Sequence, residues 1–141
     1  KGEILLQKRS EQKLTHPNMW TTATSGHLSA GDTSIEGAIR ELSEEIGLKV
    51  KENELEYLFT VKESGVNDNP KRHIIENEIT DVYLIERNVD ITELRLQEEE
   101  VSEIKWFSYE SFEKMVLEND ETLVSHKEMQ FKILEILKNK C

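Results

Sequence analysis

The stretch from Gly26 to Leu48 has the sequence GHLSAGDTSIEGAIRELSEEIGL, and its second half shows the pattern of an amphipathic helix. Thr33 and Glu36 have the spacing of a capping box, which marks a helix start. Gly47 is the residue type that most readily adopts the left-handed conformation at a helix end. These signals predict a helix from about Ser34 to Ile46, with an apolar stripe that faces the core.

Glutamates of this predicted helix fall at neighbouring positions on one face. Glu41, Glu44 and Glu45 are spaced i, i+3 and i+4, so their like charges meet on the helix surface and destabilise it mildly. A bound cation offsets that repulsion, and hard carboxylate oxygens suit Mg²⁺ or Mn²⁺. The alternative is a solvated acidic helix, in a chain of which 33% is charged. We predict a metal-binding face, with Arg40 beside it to orient one carboxylate.

The same stretch resembles the signature of the Nudix hydrolases, G-x5-E-x7-R-E-U-x-E-E-x-G-U, in which U is an aliphatic residue. Gly26 opens the pattern, residues 40–45 supply its R-E-U-x-E-E centre, and residues 47–48 close it. Asp32 departs from it, because the family usually has Glu at that position. That residue is usually a supporting ligand in the family, so the shorter carboxylate weakens the match little.

The resemblance implies the fold and the chemistry of that family. The fold would be α/β (α+β mixed), an alpha/beta/alpha sandwich with a mixed central sheet, as a single Nudix domain over residues 1–141. The activity would be Mg²⁺-dependent hydrolysis of a diphosphate linkage in a small nucleoside-diphosphate-type molecule. Glu41, Glu44 and Glu45 would hold the metal, and Glu44 is the candidate base for the attacking water.

The composition and net charge of the chain limit the classes of molecule that it is expected to bind. A chain of 141 residues is long enough for one domain with its own core. Its net charge of -11 argues against nucleic acid and anionic membranes, and no apolar run is long enough to span a bilayer. The single cysteine, Cys141, excludes an internal disulfide and fits a reducing cytoplasm. We therefore expect a cytoplasmic protein without nucleic-acid or membrane partners, and the sequence does not indicate its oligomeric state.

The chain begins at Lys1 with no methionine and enters directly a short apolar run, Glu3 to Gln7, that has strand character. In the Nudix family a further strand normally precedes this one. We therefore expect an N-terminal strand, with any ligands that it carries, upstream of the sequence.

A polar segment, Lys8 to Trp20, follows and is predicted to be a loop. Its Arg9 and Lys13 could clamp a diphosphate, although solvated surface charges are the alternative. The stretch KRSEQKLTHPNMWTTATSGHLSAGD resembles the Nudix branch that includes isopentenyl-diphosphate isomerase, in which a basic pair at these two positions holds the substrate diphosphate. In that branch a metal-ligand histidine falls at His27, for which a structural, hydrogen-bonded role is the alternative.

Beyond the helix, residues 55–61 alternate in polarity and predict a strand, residues 64–72 have the composition of a loop, and residues 73–86 predict a second strand. Glu76 and Glu78 point to the same face of that second strand, because strand side chains alternate. A matching E-N-E supplies two metal ligands in the isomerase branch. Both are therefore candidate ligands outside the motif, with simple solvent exposure as the alternative.

An acidic turn at residues 97–100, QEEE, precedes a predicted strand at residues 101–107. Its glutamates, Glu98, Glu99 and Glu100, are further candidate bases, and a solvated turn is the alternative. Ser108 is a predicted helix cap, and a final helix is expected over about residues 127–139.

Two other functions stay open beside hydrolysis. Isomerisation needs a paired acid and base, and in the isomerase one of them is a cysteine directly before the G-H pair, where this chain has Ser25. The intact segment 40–45 also favours water activation. Against this, several residues are isomerase-like: Arg9, Lys13, His27 and residues 76–78. A non-catalytic ligand sensor is the second alternative, but a sensor would be expected to lose the motif carboxylates. We therefore favour the hydrolase.

Overall fold

The structure is a computed structural model that describes residues 2–22, 33–69 and 72–140, with the backbone alone for residues 63–69 and 72–79. The chain divides into two compact units. The terminal unit consists of Lys1–Ala23 and Glu98–Cys141, and the central unit consists of Thr24–Gln97. Among the helices in these ranges, none combines the length and the apolar character needed to cross a bilayer.

The described elements include both strands and α-helices. In order they are β1 (Glu3–Arg9), β2 (Trp20–Thr22), α1 (Ser34–Ile46), β3 (Glu56–Asn69), β4 (Arg72–Leu84), β5 (Val101–Ser108), α2 (Tyr109–Leu117) and α3 (Lys127–Lys140). Short 3-10 turns occur at Glu52–Glu54 and Ile91–Glu93. The mixed α/β class predicted from the sequence is confirmed, and the final helix is one residue longer than expected.

The terminal unit is built on a three-stranded antiparallel sheet in the order β2-β1-β5. The β1–β5 register shifts between Lys8 and Arg9, which marks a bulge at the end of β1. The predicted cap of α2 is confirmed, since the Ser108 hydroxyl accepts a hydrogen bond from the Ser111 N–H at 3.0 Å. The most deeply buried apolar side chains of this unit come from its strands, its helices and the segment between α2 and α3: Leu6, Val101, Phe112, Val116 and Val124.

The central unit joins α1 to a long antiparallel hairpin of β3 and β4. Backbone pairing runs from Glu56 opposite Leu84 to Asn69 opposite Arg72. The predicted loop over residues 64–72 is therefore wrong, because β3 continues to Asn69. Polar composition gave the wrong prediction, because the hydrogen bonds that pair two strands are made by backbone groups and do not depend on side-chain polarity.

The strands pair antiparallel throughout the described ranges, in one three-stranded and one two-stranded sheet, rather than in one mixed sheet. A parallel contact is present as an isolated bridge between Trp20 and Leu123. This bridge belongs to the terminal unit, where the Trp20 N–H donates to the Thr122 carbonyl at 2.7 Å.

Helix α1 begins and ends at the residues predicted from the sequence. At its end Gly47 adopts φ 72° and ψ 21°, and its N–H donates to the Ser43 carbonyl at 3.1 Å. The bond from Gly47 to Ser43 is that of an αL motif, and the Leu48 N–H also donates to the Leu42 carbonyl at 3.1 Å. Two constraints favour glycine here, because a Cβ on Gly47 would also lie 3.0 Å from the Arg95 nitrogen and 3.1 Å from its carbonyl oxygen.

We expect Gly47→Ala to destabilise the protein by about 1–3 kcal/mol, since the added methyl group is strained by the left-handed backbone and crowded by main-chain atoms. Gly2→Ala is the matched control, because Gly2 has the same φ of 72° but no neighbour within 4 Å of the position that an added methyl group would occupy. Chemical denaturation of both variants measures the difference. Equal losses would show that the contact with Arg95 costs nothing.

Candidate functional site

The glutamates of the motif occupy different environments on α1. Glu44 is the most exposed, with 55% of its side chain accessible, whereas 16% of the Glu41 side chain is accessible. Glu45 is buried, with a relative exposure of 6%. It follows Glu44 directly and lies beside the buried Leu42 and Ile46. Because i and i+4 are neighbours on a helix, Glu45 still lies next to Glu41, but at the buried edge of the predicted face.

Arg40 lies between the two more exposed carboxylates. Its Nη2 donates to Glu41 Oε1 at 3.2 Å, and its Nε lies 3.9 Å from Glu44 Oε1. The Arg40 side chain is itself 29% accessible. The contact with Glu41 is of the kind expected if Arg40 orients one carboxylate, because a planar guanidinium restrains the direction of the oxygen that it binds.

The donor chemistry of this helix fits a hard divalent cation, since it consists of carboxylate oxygens. Among the described side chains, however, no three His, Cys, Asp or Glu groups gather closely enough to hold an ion. The buried Glu45 and the Arg40-bound Glu41 have restricted positions, whereas Glu44 projects into solvent. Of the three, Glu44 therefore has the most freedom to change its side-chain rotamer.

The remaining predicted ligands are described in part or not at all. His27 and Asp32 lie outside the described residues, as does Ser25. Glu76 and Glu78 lie in β4, paired in register with Gly65 and Glu63, and only their backbone is described. Their roles as ligands stay predictions.

The start of α1 is held by the predicted capping box. The Glu36 N–H donates to the Thr33 hydroxyl at 3.2 Å, and the Thr33 N–H donates to Glu36 Oε1 at 2.9 Å. The backbone hydrogen bond from Thr33, followed by the bond from its side chain, lowers the pKa of Glu36 from its ordinary value of 4.5. The negative charge that suits the N-terminal end of the helix dipole is thereby maintained.

Tertiary contacts within the central unit fix both ends of α1, and sequence patterns gave no sign of them. The Ser34 hydroxyl is hydrogen-bonded to the Tyr83 hydroxyl of β4. At the other end the Glu45 carbonyl accepts from the Gln97 N–H at 2.8 Å, and the Ile46 carbonyl accepts from the Arg95 N–H at 3.1 Å. These carbonyl groups belong to the last turn of α1, and the carbonyl groups of a last turn have no hydrogen-bond donors within their own helix.

The predicted basic loop begins at Ser10 rather than at Lys8, because Lys8 and Arg9 belong to β1. Hydrogen bonds of Arg9, at its start, close the loop. The Arg9 backbone donates to the Met19 carbonyl at 2.8 Å and accepts from the Asn18 N–H at 3.0 Å. The Arg9 side chain reaches back to Thr15, with Nε 3.0 Å from the carbonyl oxygen and Nη2 3.0 Å from the hydroxyl. Arg9 therefore shapes the loop, in addition to any contact with an anion.

Lys13 forms an ion pair with Glu100 of the acidic turn. Both side chains are partly accessible, at 25% for Lys13 and 35% for Glu100. Sequence analysis singled out both residues but did not connect them. The structure thus brings Lys13 to Glu100 in the terminal unit and Arg40 to Glu41 in the central unit, and each pair is described within its own unit.

These elements can be compared with known proteins. The model of the NUDIX domain family matches residues 1–126. The chain belongs to the Nudix family. The family predicted from the motif is therefore confirmed.

Individual relatives carry different names. The chain is 34% identical over 143 residues to Nudix hydrolase 3 of Arabidopsis thaliana, covering 99% of this chain and 18% of that protein. It is 28% identical over 117 residues to the isopentenyl-diphosphate Delta-isomerase of Salmonella heidelberg, covering 82% of this chain and 60% of the isomerase. The chain spans less than two thirds of the length of the curated relatives that it matches.

A solved structure agrees in fold. The Ap4A hydrolase of C. elegans, solved as a binary complex, superposes with a TM-score of 0.58 at 18% identity. The superposition covers 97% of this chain and 87% of the hydrolase. At this level of identity the likeness concerns the fold alone.

We expect Thr33→Ala to destabilise the protein by about 0.5–2 kcal/mol, the range measured when cap residues are replaced. The pKa of Glu36 should rise toward 4.5 in this variant, because the side-chain bond that lowers it is lost. Because the pKa of Glu36 is lower in the folded protein than in the unfolded chain, its negative charge stabilises the fold at pH values above the unfolded-state pKa. This stabilisation is lost as the pH falls through the folded-state pKa. NMR titration and denaturation at several pH values test both effects, and an unchanged Glu36 pKa would contradict them.

Proposed function

We propose that the chain is a Nudix hydrolase that uses Mg²⁺ or Mn²⁺ to cleave a diphosphate linkage in a small nucleoside-diphosphate-type molecule. The observation that carries the proposal is the intact R-E-U-x-E-E segment on a helix fixed at both ends, with Arg40 bound to Glu41. Membership of the Nudix family and relatives named as hydrolases support it. We further propose a cytoplasmic location, which the single cysteine supports, and no nucleic-acid or membrane partner, which the net charge of -11 supports.

The metal would be held by carboxylates of α1, with further donors from outside the motif. The candidate ligands are Glu41, Glu44, Glu45, His27, Glu76 and Glu78. When bound, the cation supplies positive charge to the diphosphate oxygens and acidifies nearby water.

The side chains of α1 would have different roles in metal binding and proton transfer. Arg40 holds Glu41 in a fixed direction through the 3.2 Å hydrogen bond. Glu45, at 6% exposure, has little room to move and provides a fixed oxygen donor. Glu44 is the best candidate base, because its accessible carboxylate can reach a water molecule and accept its proton.

The basic loop would bind the substrate anion. Arg9 and Lys13 are proposed to hold the diphosphate by charge-assisted hydrogen bonds. The bonds from Arg9 to Thr15 support a fixed position for the guanidinium, since they restrain it at both Nε and Nη2. Replacing Arg9 would therefore disturb the loop as well as the anion contact.

Isopentenyl-diphosphate isomerisation is the second candidate function. The observation that favours it is the 28% identity to a named isomerase over 117 residues. Ser25 stands against it, because a hydroxyl is a far weaker acid or base than a thiol near neutral pH. A non-catalytic sensor is less favoured, since the carboxylates of the motif are retained.

The metal-dependent hydrolysis can be tested by a screen of nucleotide and prenyl diphosphates with Mg²⁺. We expect Glu44→Gln and Glu45→Gln to lower kcat by at least about 10- to 100-fold, the loss known for groups that only support metal ligands. Chelation should abolish turnover.

Glu36→Gln is the matched control, because it removes one negative charge from the same helix while glutamine can preserve the capping box. It should keep near-normal activity. Full turnover in chelator, or in the folded double variant Glu44→Gln with Glu45→Gln, would contradict the proposal.

Hydrolysis and isomerisation are separated by incubation with isopentenyl diphosphate and Mg²⁺ in deuterated water. We expect no deuterated dimethylallyl diphosphate, because Ser25 lacks the acidity of the thiol that the isomerase uses. Mass spectrometry of the products distinguishes hydrolysis from isomerisation. Deuterium incorporation at an enzymatic rate, lost in Ser25→Ala, would establish the isomerase instead.

A further inference from the structure

Glu100 is tied to the Lys13 loop through the backbone as well as through its side chain. The Ser10 N–H donates to the Glu100 carbonyl at 3.0 Å, and the Lys13 N–H donates to the Ser10 carbonyl at 3.2 Å. Ser10 itself is buried, with 3% exposure. A turn anchored on a buried residue therefore brings the Lys13 side chain to Glu100.

The bulge at the end of β1 determines which glutamate of the acidic turn can meet Lys13. At the bulge Arg9 pairs with Val101, which is 1% exposed. Glu100 directly precedes this buried residue and is half-buried, whereas Glu98 and Glu99 are exposed. The ion pair is thus formed by two residues whose backbones are both fixed, and not by two mobile surface side chains.

An anion that binds Lys13 competes with the Glu100 carboxylate for the ammonium group. The Lys13 ammonium is a compact point charge, and the Glu100 carboxylate already neutralises part of that charge. A diphosphate placed on the same ammonium would bring its own negative charge close to Glu100. Like charges at short range repel, so the carboxylate weakens the attraction between Lys13 and the anion.

We infer that Glu100 is a positioning residue that sets the affinity of Lys13 for a diphosphate by competing with it for the ammonium group. The inference rests on the proposed function in one respect, namely that Lys13 contacts the diphosphate. On binding, the diphosphate replaces the carboxylate, and Glu100 turns toward solvent with its exposed neighbours. Glu100 thereby keeps Lys13 in place when no substrate is bound and limits how tightly the anion is held.

The test measures the Kd of imidodiphosphate, a hydrolysis-resistant diphosphate, by calorimetry with Mg²⁺ present. We expect Glu100→Gln to tighten binding about two- to fivefold, which corresponds to the energy of a partly exposed ion pair. Glu100→Asp keeps the charge and should stay nearer to the wild type. Thermal unfolding of each variant reports whether the fold has changed.

Glu103→Gln is the matched control, because Glu103 is an exposed residue of β5 in the same unit and the substitution removes the same charge. It should bind imidodiphosphate like the wild type. In a Lys13→Ala background, Glu100→Gln should have no effect. Equal effects of Glu100→Gln and Glu103→Gln, or an effect that persists without Lys13, would overturn the inference.

These measurements distinguish a failure of the proposed function from a failure of the inference about Glu100. If the wild type hydrolyses a diphosphate but Glu100→Gln binds imidodiphosphate no more tightly than Glu103→Gln, the inference fails and the proposed function stands. If no diphosphate is hydrolysed, yet Glu100→Gln tightens binding only when Lys13 is present, the proposed function fails and the inference stands. Imidodiphosphate binding that is undetectable in both the wild type and Glu100→Gln also overturns the inference.

Discussion

The caps of α1 determine where the side chains of the motif lie. Thr33 fixes the first turn, and the left-handed Gly47 ends the helix within one residue. Between these two points each residue turns by about 100°, so the direction of every glutamate is set by the ends. Main-chain bonds from residues 95 and 97 then hold the last turn. A shift at either end would rotate Arg40 and the carboxylates together.

Two basic side chains of the predicted site, Arg40 and Lys13, each contact a carboxylate of their own unit. Arg40 contacts Glu41, and Lys13 contacts Glu100. Partly exposed pairs of this kind contribute only about 0–1 kcal/mol to folding, so their main effect is on position and local charge. For Arg40 the partner is a motif carboxylate that the cation directs. For Lys13 the partner is a carboxylate that lowers the attraction for an anion.

Polar composition was a poor guide where backbone pairing decided the structure. Residues 64–69 have the composition of a loop and nevertheless continue β3, because each of them lies opposite a residue of β4 in the antiparallel ladder. Burial of Glu45 is a similar case. Its spacing from Glu41 and Glu44 indicated a shared charged face, but its place beside Leu42 and Ile46 puts it on the buried side.

The sequence by itself determined the family, the limits of α1, its capping box and the order of carboxylates along it. The features of the helix depend on residues at most a few positions apart, and the family signature lies within the single stretch of residues 26–48. Tertiary structure alone decided the contact between Lys13 and Glu100, the hydrogen bond from Ser34 to Tyr83 and the main-chain partners of the last turn of α1. Each of these joins residues distant in the chain, and no local pattern encodes which distant residue the fold brings near.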